Sequence, residues 1–223
     1  MTQENISDDW ADLYNNFFRR DAHQLLAWGY EDARQKINAD NEETDITGFI
    51  AEKIDNRLDD SNTPPRFDRY FLSEDKPISG EGRTGKSRRR LDLVIECSLV
   101  KPRPKYIFEA KRLCKGKATI GDYTGKEGIQ RYVYGKYASQ YPEAAMIGYV
   151  QSDNSDYWLN ELQRKFDTDY DNSLYIRKSL IKVEVIPFLK NEWVSEHDRT
   201  TGNIILVYHI LLDCCTISWF FRN

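Results

Sequence analysis

A surplus of basic residues is the first thing this sequence lacks. It carries 32 Lys and Arg against 36 Asp and Glu, a net charge of −4, so any nucleic-acid contact has to come from a local patch and not from a uniformly basic surface. Histidine and cysteine are scarce too. The three His and the four Cys (Cys97, Cys114, Cys214, Cys215) include no C-x-x-C pair, so a structural zinc site is not expected. The thiols read as reduced and largely buried. Long apolar runs are missing: the most apolar stretch, NIILVYHILLDCCTISWFF, is interrupted by His209 and Asp213 and is too broken to span a bilayer. The opening MTQENISDDWADLYNN is acidic and polar, where a signal peptide has a basic start and an apolar run. No repeat or low-complexity tract is present. The expectation is a cytoplasmic protein with no membrane partner.

What is present is enough to build a core: 40% hydrophobic and 13% aromatic residues in a chain of 223. Residues 8–58 read as helical. Ile46, Ile50, Ile54 and Leu58 form one stripe, with Asn41 as its cap and Glu42, Glu43 and Asp45 enriching the first turn in acid. SNTPPR then ends the helix. RFDRYFL, RLDLVIE and YIFEAKRL read as three strands of a meander, and GKEGIQRYVYGKYASQY as a helix. AAMIGYV suits a strand covered on both faces. A helix over residues 156–166 and strands LIKVEVIPF and NIILVYHILLD complete the chain. This order gives an α/β protein, with a helical segment over residues 1–40 packed on a domain of residues 41–223.

Two of those strands carry carboxylates, Asp92 and Glu109, and Lys111 follows two residues after the second. Unpaired charge is costly inside a sheet, so these residues need partners or a chemical task. Glu109 and Lys111 share a face by strand alternation. A reversal near Val100–Lys101 sets Asp92 opposite Glu109, whereas one centred on Pro102–Pro104 offsets them through a bulge; the sequence leaves both open. Two converging carboxylates repel unless a cation or a proton joins them. Mg²⁺ suits such a site because it takes oxygen ligands and keeps several waters. A nearby lysine suits positioning or deprotonating an attacking water.

D-(x)16-E-A-K across a hairpin, followed by a helix and a strand, resembles the PD-(D/E)XK, or restriction-endonuclease-like, nuclease superfamily, over roughly residues 40–150. Leu91 stands where the family's name has proline, a position that varies within the family. The resemblance implies an αβββαβ core with a mixed central sheet flanked by helices, and a Mg²⁺-dependent nuclease in which Mn²⁺ can substitute; DNA is the expected substrate, with RNA left open because a phosphate-directed site is common to both. It implies that Asp92, Glu109 and the Ala110 carbonyl bind the metal and that Lys111 is the catalytic lysine. Gln130 and Tyr134 form the Q-x-x-x-Y that a subset of these nucleases carries beside the site. A glutamate of the first helix, Glu43 or else Glu42, would reach the metal through water. Targeting would come from a protein partner or homo-oligomer, as in effector subunits of bacterial restriction or phage-defence systems. The alternative is a non-catalytic subunit of the same fold, serving as scaffold or nucleic-acid-binding module.

Arg83, Lys86, Arg88, Arg89 and Arg90 lie just before Asp92 and are the candidate phosphate contacts. Tyr106, Tyr123 and Tyr132 are candidates for stacking on bases. His209 reads as a satisfied core or sheet-edge histidine. Cys97 and Cys114 read as packing residues. Trp10, Tyr14, Phe17, Phe18 and Trp28 read either as a docking surface or, the reading preferred, as core positions of helices that cover the sheet.

Overall fold

The alternating faces of one strand sort the rest of the molecule. In the computed structural model, which describes residues 4–78 and 84–215, with side chains from residue 16 onward, strand β4 (Glu143–Val150) is buried along its whole length. Ala145, Ile147 and Tyr149 point into one apolar cluster, and Ala144, Met146 and Val150 into another. The run AAMIGYV therefore has no polar face because neither face meets water.

The first cluster is closed by two helices, α1 (Glu4–Ala33) and α2 (Glu43–Asp59). Ile46, Ile50 and Ile54 form the buried stripe of α2, as their spacing predicts. A Cβ on Gly29 of α1 would lie 2.6 Å from Ile54 and 2.8 Å from the Ile50 carbonyl, so only glycine lets the two helices approach this closely. The cap of α2 is Glu42, not Asn41, and Asp45 accepts from the Glu42 N–H at 3.2 Å. Asn41 instead accepts from the Asn38 N–H at 2.7 Å, closing the preceding turn.

Strands β1 (Tyr70–Pro77), β2 (Arg90–Cys97) and β3 (Lys105–Leu113) form an antiparallel meander. Two short helices follow, α3 (Ile120–Thr124) and α4 (Ile129–Val133), and β4 then pairs parallel to β3. After α5 (Ser155–Asp167) come β5 (Ile176–Lys182), β6 (Glu192–Asp198) and β7 (Ile204–Asp213). The result is a seven-stranded mixed sheet in the order β1-β2-β3-β4-β7-β6-β5, with α1 and α2 against one face and α3, α4 and α5 against the other. Among the described residues no helix is long and apolar enough to cross a membrane.

Three expectations are corrected. The helix expected over GKEGIQRYVYGKYASQY is one short turn, because Gly128 enters and Gly135, at φ +65°, leaves it. The strand expected over LIKVEVIPF stops at Lys182. The strand EWVSEHD, β6, was not expected at all, because it buries polar residues on both faces, Glu192 toward α1 and Ser195 and His197 toward α5. Glu192, Ser195 and His197 are buried there and hydrogen-bonded. Ser195 Oγ lies 2.7 Å from both His197 Nε2 and His209 Nε2, His197 Nδ1 donates to the Leu174 carbonyl at 2.7 Å, and Tyr123 donates to His209 Nδ1 at 3.1 Å. This chain of polar groups ties α3 to β7 and β6 and satisfies His209 inside the core.

Candidate active site

The hairpin register decides whether the carboxylates meet. Leu93 pairs with Phe108 and Val94 with Ile107, which centres the reversal at Val100–Lys101. Continued by one residue, this register sets Asp92 across from Glu109. The Asp92 carboxylate accepts from the Ala110 N–H at 2.7 Å, so its side chain occupies the end of the ladder between the two strands. Phe108 and Ala110 point into the cluster under α1 and α2, whereas Ile107 and Leu113 face α3, α4 and α5. Glu109 and Lys111 share the latter side by alternation.

Glu109 is 1% exposed. Its Oε1 receives Arg131 Nη1 at 2.9 Å and lies 3.1 Å from Lys111 Nζ. Its Oε2 is buried with no hydrogen-bond partner among the described residues. Burial, and then the neighbouring Asp92 charge, push the Glu109 carboxyl up to about 8, against the pull of Lys111 and Arg131. Burial also raises Asp92, opposed by Lys111 and the Ala110 N–H. Burial alone would lower Lys111, but Glu109, Glu43 and Asp92 outweigh it and hold the ammonium protonated. Lys111 therefore acts here as a donor.

The other helical layer contributes Glu43, the first residue of α2. Its Oε1 receives Lys111 Nζ at 2.9 Å and its Oε2 receives the Arg112 N–H at 3.2 Å. Glu42 turns outward to pair with Arg112 at 2.9 Å. Of the two glutamates, Glu43 is the one drawn into the site, and both of its oxygens are already engaged. Lys111 also donates to the Ala110 carbonyl at 2.5 Å.

Arg131 is the site residue that the sequence reading missed. It bonds Glu109 and the Tyr137 hydroxyl, pairs with Glu127, and places its guanidinium 4.7 Å from the Tyr137 ring centre. Tyr137 in turn donates to the Arg90 carbonyl at 2.6 Å, which ties the wall of the site to the start of β2. The available signal was position: Arg131 adjoins Gln130 on the helix expected to face the carboxylates. Gln130 and Tyr134 are held one turn apart, with the Tyr134 N–H on the Gln130 carbonyl at 2.9 Å. Neither side chain is hydrogen-bonded to Asp92, Glu109 or Lys111, and the Tyr134 ring packs edge-on against Tyr175 at 6.4 Å.

The basic run divides. Arg83 lies outside the described residues. Lys86 is exposed and Arg88 bonds back to the Gly85 carbonyl at 3.3 Å. Arg90 pairs with Asp75 on β1, and the Arg89 charge acts on the Tyr137 hydroxyl beside the site. A groove of about 340 Å³ adjoins the site, lined by Lys76, Lys105 and Lys136 together with Leu91, Ile107 and Tyr137. Tyr106, Tyr123 and Tyr132 are fully buried, with their hydroxyls on His23, His209 and the Ala145 carbonyl, so they offer no face to a base. Phe18 is buried and Phe17 exposed, while the side chains of Trp10 and Tyr14 lie outside the described residues.

Among the described residues no three His, Cys, Asp or Glu side chains gather closely enough to hold a metal ion. The donor set is two carboxylates and a backbone carbonyl, which suits a hard cation that keeps much of its water and does not suit zinc. The unpartnered Glu109 Oε2 is the observation that fits such an ion, because a buried carboxylate oxygen without a partner is costly. No family model, no curated protein and no solved structure matches the chain.

Proposed function

We propose that the chain is a metal-dependent nuclease of the restriction-endonuclease-like class that hydrolyses phosphodiester bonds in DNA. The observation that carries this reading is the buried, unpartnered Glu109 Oε2 beside Asp92 and Lys111. The order helix, three antiparallel strands, helices, parallel strand from α2 to β4 supports the αβββαβ core that this class requires. Asp92, Glu109 and the Ala110 carbonyl are the groups that would hold Mg²⁺, or Mn²⁺ in its place. When bound, the ion supplies Lewis-acid polarisation of the phosphate. Lys111, protonated and anchored by Glu43, orients the attacking water and donates toward the phosphate oxygens. Arg131 balances the charge of Glu109 and fixes its rotamer. Lys136, in the groove that adjoins the site beside Lys76 and Lys105, would give the backbone of a nucleic acid counter-charge, while Lys76 and Lys105 pair with Glu96. Targeting by a protein partner or a second copy, as in an effector subunit of a bacterial restriction or phage-defence system, belongs to the same proposal.

A second reading is favoured by one feature. Arg131 and Lys111 both converge on Glu109 Oε1, so two protein cations already supply much of the charge a metal would bring. On that reading the cluster is structural, and the chain is a non-catalytic nuclease-fold subunit. The test is cleavage of supercoiled DNA, linear DNA and RNA by purified protein with Mg²⁺, Mn²⁺ or EDTA, beside folded Glu109→Ala and Lys111→Ala proteins. Metal-dependent cutting that disappears in both variants supports the nuclease and identifies its substrate. Cutting that survives Glu109→Ala removes the proposed site from the chemistry.

A further inference from the structure

A second cavity lies away from the carboxylates. It lies at the opposite end of β2, where Tyr70 of β1 pairs with Cys97. Cys97 is five residues along the strand from Asp92, about 17 Å at roughly 3.4 Å per residue. The cavity has a volume of about 430 Å³, inside the range of roughly 300–1,000 Å³ typical of small-molecule sites. Arg20, Arg66 and Arg69 line it, and Asp21 is the one acidic residue beside them.

These three cations are under-used by the protein itself. Asp21 is shared: it lies 3.2 Å from Arg66 Nε and accepts from the Tyr70 hydroxyl at 2.7 Å. Arg69 donates through Nε to the Arg66 carbonyl at 2.5 Å and sits 5.8 Å from the Tyr70 ring centre. Arg66 lies 4.8 Å from the Phe67 ring centre. Two guanidinium groups are thus held in place by ring faces and Nε contacts, with their terminal nitrogens donating to nothing among the described residues. Arg20 has no ion pair among them. Fixed planar forks of this kind match the oxygens of a phosphate in a way that three mobile lysines would not.

The other half of the cavity is apolar. Phe17 is 58% exposed and Leu99 is 55% exposed, both on its lining, and behind them Phe18 stacks on Tyr70 with ring centres 5.7 Å apart. Large apolar side chains left in water beside guanidinium groups with unused terminal nitrogens match a ligand with a flat apolar part and an anionic head. We propose that this cavity binds a nucleotide, its phosphate held by Arg20, Arg66 and Arg69 and its base laid against Phe17 and Leu99. The site is separate from the carboxylates and does not rest on the nuclease reading.

Calorimetric titration of the full chain with AMP, adenosine and ribose 5-phosphate tests it. AMP saturates one site per chain and binds at least about tenfold tighter than either fragment. Arg20→Gln and Arg69→Gln each weaken AMP by about tenfold; Arg20→Gln leaves the melting temperature unchanged, because Arg20 is exposed, and Arg69→Gln stays folded. Phe17→Ala weakens AMP and leaves ribose 5-phosphate unchanged. Lys111→Ala leaves AMP binding intact. The proposal is overturned by the absence of saturable AMP binding, by AMP affinity that survives both arginine variants, by equal affinity for AMP and ribose 5-phosphate, or by loss of binding in Lys111→Ala.

Discussion

Replacing Ser195 by alanine deletes one hydroxyl from a place where every proton is assigned by its neighbours. The Leu174 carbonyl can only accept, so His197 carries its hydrogen on Nδ1 and presents Nε2 as an acceptor. Ser195 must donate into that nitrogen, which leaves its oxygen to accept from His209 Nε2–H. His209 Nδ1 then accepts from the Tyr123 hydroxyl. Burial lowers both histidines and keeps them neutral, so the two rings hold opposite tautomers. Ser195→Ala strands one buried acceptor and one buried donor. At about 1–3 kcal/mol for each orphaned group, the expected loss is about 2–6 kcal/mol. Urea unfolding at pH 7.5 measures it, and ring-nitrogen NMR reports Nδ1–H for His197 and Nε2–H for His209. A variant as stable as wild type, or two rings in the same tautomer, refutes the assignment.

Three further outcomes are expected. All three histidines are buried and lowered, first by desolvation; the unfolded chain takes up these protons as pH falls through about 6.5 while the native state does not. Their contribution to stability is therefore full above that pH and lost below it, and none of the three ring proton resonances titrates near 6.5. Gly148→Ala places a Cβ 2.6 Å from Leu211 and 2.7 Å from Leu113, which costs about 1–3 kcal/mol of overpacking in thermal unfolding. Glu43→Gln removes the charged anchor of Lys111, and under the nuclease reading it lowers kcat by about 10–100-fold while leaving DNA affinity in place.

Much of the sheet was legible because its strands carry apolar residues at the right period. Asp92, Glu109 and Lys111 were legible as chemistry because charge interrupts otherwise apolar strands. What was hidden depends on contacts across the sequence. The register needed the geometry of the loop Ser98–Pro104, where two prolines allow more than one reversal. Arg131 differs from any surface arginine only in meeting Glu109, 22 residues away. Strand β6 defeats periodicity because it buries polar residues on both faces, Glu192 on one and Ser195 and His197 on the other, satisfied by partners on α1, β7 and the segment before β5. The cavity at Arg20, Arg66 and Arg69 joins α1 to the turn before β1, which no local motif announces.

The central claim is that Asp92 and Glu109 form a metal site, and titration with Mn²⁺ followed by electron paramagnetic resonance tests it without any need for activity. The account predicts one Mn²⁺ per chain for wild type and for Lys111→Met, displaced by excess Mg²⁺ and lost in Asp92→Asn and in Glu109→Gln. A wild-type chain that binds no Mn²⁺, or binding that both carboxylate variants retain, contradicts the metal site and the nuclease reading with it.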